Sequence, residues 1–287
     1  MNAIPSLDVE HLIRKYGLHP KKRIGQNYMR DASALEKVAG AADINSKDVV
    51  LEIGPGLGSL TRYLSISAQQ VVAVELDPEL VPILLTVLKP YVNVRIIRGD
   101  ILALAPRELG LPSNYLVVAN IPYNITSAII RHLLESEPKP RRVVLTIQKE
   151  VAERICAVPP DMSLLALSVQ VYGSPQITAS IPAEAFYPAP KVDSAVVKIE
   201  IHPEPCIPHP LLPIFFRLIK AGFSQKRKTL RNSLAAGLEI STTEAEELLI
   251  KAEINSKRRA ETLSLNEWEA LSRVQTSSHL QQPAPGK

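Results

Sequence analysis

An amide, a proline and an aromatic ring follow a hydrophobic run in the middle of the chain. The run covers residues 117–119, and Asn120, Ile121, Pro122 and Tyr123 come next. The exocyclic amine of a flat base is a poor nucleophile, because its lone pair is delocalised into the ring. The amide oxygen and a main-chain carbonyl could each accept one N–H and aim that lone pair, while proline fixes the turn and tyrosine stacks on the base. These residues predict transfer to a base amine by positioning, without a strong general base; a strand-end turn with a buried tyrosine is the alternative.

A glycine-rich turn after an earlier hydrophobic run predicts a site for the second reactant. Residues 52–58 read EIGPGLG, and their G-x-G-x-G spacing differs from the G-x-G-x-x-G fingerprint of dinucleotide sites. A pyrophosphate favours a helix N-terminus without a nearby acid, whereas Glu52 suits a ligand that carries ammonium and sulfonium groups. Glu52, Gly54 and Gly56 therefore favour S-adenosylmethionine over NAD, with an ordinary tight turn as the alternative.

Two further acids follow hydrophobic runs. Glu75 lies 21 residues after Gly54 and can accept both ribose hydroxyls, and Asp100 can accept a hydrogen bond from the adenine amino group. Each acid alone could instead be the N-cap of a helix. Three acid-ended runs together with the glycine turn favour the cofactor interpretation.

The elements that must position these residues alternate between strand and helix. Strands are predicted at residues 49–53, 71–75, 92–100, 115–120 and 141–148, with two more near 175–181 and 192–201. One helix between them is predicted to begin with Asp77 as N-cap and Pro78 in its first turn. The alternation predicts an α/β fold with a mostly parallel sheet, helices on both faces, and ligands beyond the carboxyl ends of the strands.

Proline-rich residues 202–213 predict a linker, and everything beyond them has helical patterns. We therefore expect a first domain over residues 1–205, a helical domain over 206–275 and a disordered tail over 276–287. The chain has 287 residues and a net charge of +4. From residue 208 onward there are 12 Lys and Arg against 8 Asp and Glu, which leaves 21 of each before it (33 − 12 and 29 − 8). This basic C-terminal quarter indicates a polyanionic partner.

Two clusters of cations could contact a phosphate backbone. Residues 220–231 hold five cations and no acid, and three more adjoin the GQN sequence at 25–27. The predicted RNA contacts are Lys21, Lys22, Arg23, Lys226, Arg227, Lys228 and Arg231. A solvated helix face is the alternative.

A proline-stiffened aromatic loop, FYPAPK at 186–191, could contact the second face of an extruded base. Phe186 is the predicted stacking residue, and a hydrophobic plug under the sheet is the alternative.

Other cofactors and compartments receive little support. The two cysteines have no metal-type spacing and form no disulfide framework, so no metal site is predicted and a reducing cytoplasm is favoured. The chain begins without the pattern of a secretory signal, and its hydrophobic runs are too short to span a membrane.

A series of motifs resembles the ribosomal RNA adenine dimethyltransferases, in particular the small-subunit branch of that family. The series consists of KKRIGQNYM (21–29), VLEIGPGLGSLT (50–61), VVAVELDPEL (71–80), RGDIL (98–102), NIPYNIT (120–126), QKEVAERI (148–155), FYPAPKVDSAVVKI (186–199), FSQKRKTLRNSL (223–234) and RAETLSLNEW (259–268). Tyr28, Met29 and Ile121 depart from the residues that the family mostly has, and residues 158–164 lack its usual Tyr-Gly pair.

The resemblance implies a Rossmann-like class I methyltransferase sheet with a smaller, all-helical, rRNA-binding C-terminal domain. It implies that S-adenosylmethionine contacts Asn27, Met29, Gly54, Glu75, Asp100 and Asn120. It also implies two methyl transfers to each of two adjacent adenosines in the 3′-terminal hairpin loop of 16S rRNA, within an immature small subunit and late in its assembly. A monomer is expected.

Two other functions remain open. One is the related enzyme that methylates large-subunit rRNA and confers macrolide resistance, against which the motifs PKVDSAVV and RKTLRNSL stand. The other is a non-catalytic RNA-binding or transcription factor on the same fold, which would not need Asn120, Glu75 and Asp100.

Overall fold

The computed structural model describes residues 4–21 and 24–280. It divides into two compact units, one made of the chain up to Glu153 with Ser174–Ile201, the other of Arg154–Gly173 with the chain from His202 onward. The segment 154–173, which the predicted division at residue 205 places in the first domain, thus belongs to the helical unit. Its Leu167 joins Phe215 and Trp268 in one hydrophobic cluster, a long-range contact that the local sequence does not reveal.

The first unit is built on a seven-stranded sheet. Its strands are β2 (Val49–Ile53), β3 (Gln70–Glu75), β4 (Val94–Arg98), β5 (Leu116–Asn120), β6 (Arg142–Gln148), β7 (Gly173–Ile181) and β9 (Ser194–Ile201); β1 (Tyr28–Met29) and β8 (Phe186–Tyr187) form a separate pair. The sheet order is β4-β3-β2-β5-β6-β9-β7. The five strands from β4 to β6 run parallel, which confirms the predicted parallel sheet, and β9 pairs with β6 antiparallel.

The strand order reverses between β2 and β5. β2 pairs with β3 on one side and with β5 on the other, with Leu51 opposite Val117. Residues 116–119 are buried on both faces of the sheet, which explains their unbroken hydrophobic run. Such a reversal opens a crevice at the carboxyl ends of the two strands, where the glycine turn and Asn120 lie.

The helices around the sheet are α1 (Val9–Lys15), α2 (Ala32–Ala41), α3 (Ser59–Ser67), α4 (Val81–Val87), α5 (Thr126–Glu135) and α6 (Lys149–Ile155), which crosses the boundary between the units. The prediction for α4 was wrong at its start. The helix begins at Val81 with Leu80 as N-cap and Pro82 in its first turn. Asp77 is therefore not its N-cap, and its side chain has other partners.

The helical unit contains α7 (Leu164–Gln170), α8 (Leu212–Gly222), α9 (Leu230–Leu238), α10 (Thr242–Lys251) and α11 (Leu265–Leu280). Trp268 is fully buried at its centre, and a side chain on Gly222 would meet the indole ring. Because α11 continues to Leu280, the first five residues of the predicted tail are helical, while residues 281–287 lie outside the described residues. None of the described helices combines the length and the hydropathy needed to cross a membrane.

Candidate active site

A cavity of about 220 Å³ lies at the carboxyl ends of β2, β3, β4 and β5. Its wall consists of residues 24–29, 52–57, 59–60, 74–76, 80, 99–102, 120, 122 and 125. All eight predicted cofactor residues line it, namely Asn27, Met29, Glu52, Gly54, Gly56, Glu75, Asp100 and Asn120. Pro122 lines the same cavity, whereas Tyr123 and Phe186 lie outside its lining.

The glycine turn has a backbone that only glycine adopts easily. Gly54 and Gly56 have φ angles of +67° and +60°. A Cβ on Gly56 would lie 2.9 Å from the ring of Tyr28. Tyr28 therefore approaches the turn too closely for any residue other than glycine at position 56. The Gly56 N–H donates to Glu75 Oε2 at 3.1 Å, which fixes the turn to the end of β3.

The acids of the cavity differ in burial. Glu75 is 5% exposed, and its second oxygen accepts from the Asp77 N–H at 2.8 Å. Burial raises its pKa, while the N–H groups of Asp77 and Gly56 act in the opposite direction. Asp100 is exposed, and one of its oxygens accepts from the Leu102 N–H at 3.0 Å. The second oxygen of Asp100 has no hydrogen bond to any residue that the structure describes, so it can accept one from a ligand.

Glu52 tests whether this cavity fits a cationic cofactor. Its side chain is 1% exposed, and Oε2 has no hydrogen-bond partner among the described residues. Burial raises the pKa of Glu52 to about 8, the Thr61 hydroxyl acts in the opposite direction, and the negative charge of Glu75 adds to the rise. A buried oxygen without a hydrogen-bond partner can accept a hydrogen bond from a ligand. The ammonium of S-adenosylmethionine supplies such donors and a positive charge, so the residues present fit that cofactor.

We expect the Glu52→Gln substitution to change how stability depends on pH. Between the ordinary carboxyl pKa of 4.5 and about 8, the folded chain keeps a proton on Glu52 that the unfolded chain has released. Rising pH therefore lowers the wild-type free energy of unfolding in this window, by up to about 1.4 kcal/mol per pH unit from this group. Urea unfolding of the cofactor-free protein at pH 5, 6, 7 and 8 measures the difference. Parallel curves for the wild type and the variant would contradict it.

Asn120 ends β5 with its amide oriented by the main chain of another segment. Its Nδ2 donates to the Asn27 carbonyl at 3.0 Å. The reverse orientation would place two acceptors against each other, so Oδ1 must lie on the opposite side. The amide oxygen is thus available to accept an N–H from a target amine at the cavity.

Tyr123 lies in a short 3₁₀ helix, Tyr123–Ile125, directly after Pro122. Its hydroxyl is 2.7 Å from Ser194 Oγ at the start of β9. Ser194 is buried, so this bond holds the half-buried ring in one place. A fixed ring next to the cavity is suited to stacking on a base.

The predicted stacking residue Phe186 lies outside the cavity lining in this structure. Its ring is 1% exposed and packs in a core cluster with Met29 and Leu35. Phe186 pairs with Met29 in the β1–β8 ladder, a non-local pairing that turns its side chain into the core. It is the hydrophobic plug that the sequence left as the alternative.

The predicted RNA contacts are in different states. Lys21 forms ion pairs with Asp77 at 2.9 Å and Glu79 at 3.0 Å, so it is not free for phosphate as predicted. Lys22 and Arg23 lie outside the described residues. In the helical unit, residues 226–228 are exposed and have no ion pair within the part of the chain that the structure describes. Arg231 pairs with Glu246 at 3.3 Å, which partly neutralises it.

Sequence reasoning missed two side chains that bear on the site. Gln26 lines the cavity and hydrogen-bonds Asp77, and Asp77 was interpreted as a helix cap. The signal for Gln26 was present, since it adjoins Asn27 in the GQN sequence. Nothing local indicated that Asp77 contacts a segment 51 residues earlier.

Comparison of the sequence with known proteins identifies its relatives. The model of the family described as ribosomal RNA adenine dimethylase matches residues 17–271. The chain is 46% identical over 278 residues to the ribosomal RNA small subunit methyltransferase A of Dehalococcoides mccartyi, covering 96% of this chain and 95% of the relative. The protein of the same name from Geobacillus kaustophilus is 38% identical over 273 residues, with 92% and 93% covered.

Two solved structures share most of the fold. A dimethyladenosine transferase from Plasmodium falciparum superposes with a TM-score of 0.73 at 26% identity, covering 85% of this chain and 95% of that one. The 23S rRNA methyltransferase ErmE superposes with a TM-score of 0.71 at 27% identity, covering 86% and 99%.

Proposed function

Since the chain belongs to the ribosomal RNA adenine dimethylase family, we propose that it transfers methyl groups to the N6 amines of two adjacent adenosines in the 3′-terminal hairpin loop of 16S rRNA. The family predicted from the motifs is confirmed, and with it the class of enzyme, an S-adenosylmethionine-dependent rRNA methyltransferase. The proposed substrate is an immature small subunit, on which the protein acts as a monomer in the cytoplasm during subunit assembly. The small-subunit relative at 46% identity favours this substrate over large-subunit rRNA.

The observation that supports the chemistry is the Asn120 amide at the edge of the cavity. S-Adenosylmethionine, when bound, supplies an electrophilic methyl group on a positively charged sulfur. Asn120 Oδ1 accepts one N–H of the adenine amine, and a main-chain carbonyl of the turn at 120–122 accepts the other. Together they hold the nitrogen with its lone pair directed into the cavity. Pro122 fixes the turn, and the Tyr123 ring lies against the base, which stacking stabilises by about 1–3 kcal/mol.

The remaining residues of the cavity hold the cofactor. Glu52 offers its unpartnered oxygen to the ammonium group, Glu75 accepts the ribose hydroxyls, and Asp100 accepts the adenine amino group. A carboxylate in a buried site stabilises a cation more than it would in water, so a bound ammonium group would favour the ionised form of Glu52. After methyl transfer the target nitrogen would carry the positive charge, and it would lose its proton to water.

Methyl transfer from tritium-labelled S-adenosylmethionine to small subunits from cells without this enzyme tests the proposal. We expect label at two adjacent adenosines of 16S rRNA, located by reverse-transcription stops. Naked 16S rRNA and large subunits serve as parallel substrates. Label on large subunits alone would show that the protein is the large-subunit enzyme, and no label on any substrate would favour a non-catalytic RNA-binding protein.

Residues 226–228 are proposed to contact rRNA phosphates. Changing Lys226, Arg227 and Lys228 together to alanine is expected to weaken rRNA binding and to reduce the slope of log affinity against log salt by about 2 to 3. Filter binding between 50 and 250 mM salt gives the slope.

A matched control changes three other exposed lysines to alanine, namely Lys37, Lys47 and Lys89. This variant loses the same net charge, but from the surface of the first unit. We expect this control to change the slope by less than about 1. Equal slopes for the two triple variants would show that net charge, not this cluster, governs binding.

A further inference from the structure

We propose that Asp77 is a positioning residue for methyl transfer, because it holds the segment whose main chain orients the Asn120 amide. Asp77 contacts neither the cofactor nor the base through its side chain in this assignment. It acts through Gln26 and Asn27. The inference rests on the proposed function, in which Asn120 steers the target nitrogen.

The Asp77 carboxylate is a buried acceptor of four hydrogen bonds from three donor groups. Its side chain is 3% exposed. Both oxygens lie 2.9 Å from Lys21 Nζ, Oδ2 also accepts from Gln26 Nε2 at 2.9 Å, and Oδ1 accepts from the Glu79 N–H at 3.1 Å. Burial alone would raise the pKa of Asp77, but the hydrogen bonds from Lys21 and Gln26 lower it. Asp77 is therefore ionised at neutral pH and binds these donors strongly.

Gln26 is bound both to Asp77 and to the main chain of Lys21. Its Oε1 accepts from the Lys21 N–H at 2.8 Å, and its own N–H is 3.4 Å from the Lys21 carbonyl. Lys21 and Gln26 are thus joined to each other, and the side chains of both are bound to Asp77. Residue 26 is fixed in position by a carboxylate that lies 51 positions later in the chain.

Asn27 transmits this position to the catalytic amide. It follows Gln26 directly, and its carbonyl is the acceptor for Asn120 Nδ2 at 3.0 Å. If residues 26 and 27 moved by about 1 Å, this bond would lengthen. The Asn120 amide could then rotate about the bond that joins it to the rest of the side chain. The target nitrogen would then lose its fixed direction, which costs up to about 100-fold in rate.

Asp77 also touches the cofactor side of the cavity through its main chain. Its N–H donates to Glu75 Oε1 at 2.8 Å, and Glu75 Oε2 accepts from Gly56. Asp77 therefore contacts both Glu75, in the proposed cofactor pocket, and the segment 26–27 that orients the Asn120 amide. A substitution of the Asp77 side chain leaves this main-chain N–H in place. The substitution therefore affects residues 26 and 27 more than it affects Glu75.

Single-turnover methyl transfer at saturating cofactor tests the inference with three variants. Asp77→Ala and Gln26→Ala are expected to slow transfer by about 10- to 100-fold. Glu79→Gln is the control, because Glu79 binds the same Lys21 ammonium at 3.0 Å but is 61% exposed and has no bond to Gln26 in the described chain. Its rate is expected within roughly twofold of wild type.

A double-mutant cycle separates positioning from general destabilisation. If Asp77 acts through Asn120, Asp77→Ala has no further effect on the rate of the Asn120→Ala protein. A loss that multiplies with the Asn120→Ala loss would overturn the inference. Gln26→Ala provides the same cycle should the Asp77 variant fold poorly.

The Asn120 amide itself gives a readout that does not depend on methyl transfer. Its Nδ2 protons are identified in ¹⁵N NMR spectra as the pair that disappears in Asn120→Ala. In Asp77→Ala and Gln26→Ala they are expected to shift towards the positions of solvent-exposed amides, and in Glu79→Gln to stay in place. Unchanged signals in all variants would overturn the inference. A wild-type protein that methylates no rRNA would overturn the proposed function, and the NMR signals would then test only whether Asp77 holds the Asn120 amide in position.

Discussion

Replacing Asn120 with alanine is expected to slow single-turnover methyl transfer by about 100- to 1,000-fold and to leave the affinity for S-adenosylmethionine within roughly threefold of wild type. The reason is the orientation of the amide. Nδ2 is bound to the Asn27 carbonyl at 3.0 Å, which leaves Oδ1 as the acceptor for the target amine. Alanine keeps the end of β5 but removes that acceptor. Rapid-quench assays give the rate and calorimetry gives the affinity.

Asn93→Ala is the matched control for this loss. The Asn93 amide donates to the Ser65 and Ala68 carbonyls at 2.8 and 3.0 Å, and it lies outside the cavity lining. Its removal is expected to lower the free energy of unfolding by about 1–3 kcal/mol and to change the rate less than twofold. Turnover near the wild-type level in Asn120→Ala would show that the amide does not steer the nucleophile. A large loss of cofactor affinity would move its role to the donor pocket.

The position of the cavity at one edge of the sheet could be predicted from the sequence, because parallel strands end at the same edge. Once β2, β3, β4 and β5 were inferred from hydrophobic runs, the residues at and just after their carboxyl ends had to meet there. Glu52, Glu75, Asp100 and Asn120 are all found in that lining. The burial of these side chains was not predictable, since it depends on the glycine turn and on the segment before Met29. Glu52 and Asp100 look alike in the sequence, but one is fully buried and the other exposed.

Contacts between distant segments account for the differences between the expected and the observed positions. Phe186 was assigned to the base because its loop is aromatic and stiffened by prolines, yet its pairing with Met29 turns it into the core. Lys21 was assigned to RNA because cations adjoin it, yet a buried carboxylate 56 positions later binds it. Hydrophobic and charge patterns report local preference only. The helical unit shows the same limit, since residues 154–173 join it only through tertiary packing.

Glu75 connects the glycine turn to the end of β3 in the proposed cofactor pocket. It ends β3, and its oxygens accept the N–H groups of Gly56 and Asp77 at 3.1 and 2.8 Å. Each carboxylate oxygen has a second lone pair, which a ribose hydroxyl can use. The side chain is 5% exposed, so hydrogen bonds to it are little weakened by water. Within the described chain, the Asp100 carboxylate has one such bond, to the Leu102 N–H, and the residue is exposed.

Glu75→Ala is therefore expected to weaken S-adenosylmethionine binding by about 5- to 150-fold, equivalent to about 1–3 kcal/mol. The substitution removes the ribose acceptor and leaves the N–H of Gly56 without its partner, so the glycine turn also loosens. Calorimetry with S-adenosylmethionine and with S-adenosylhomocysteine measures the loss, which should be similar for both because the ribose is common to them. Asp100→Ala is the matched control in the same pocket and should cost only about 2- to 10-fold, since an exposed acceptor is readily replaced by water. A larger loss for Asp100→Ala than for Glu75→Ala would mean that the adenine, not the ribose, anchors the cofactor.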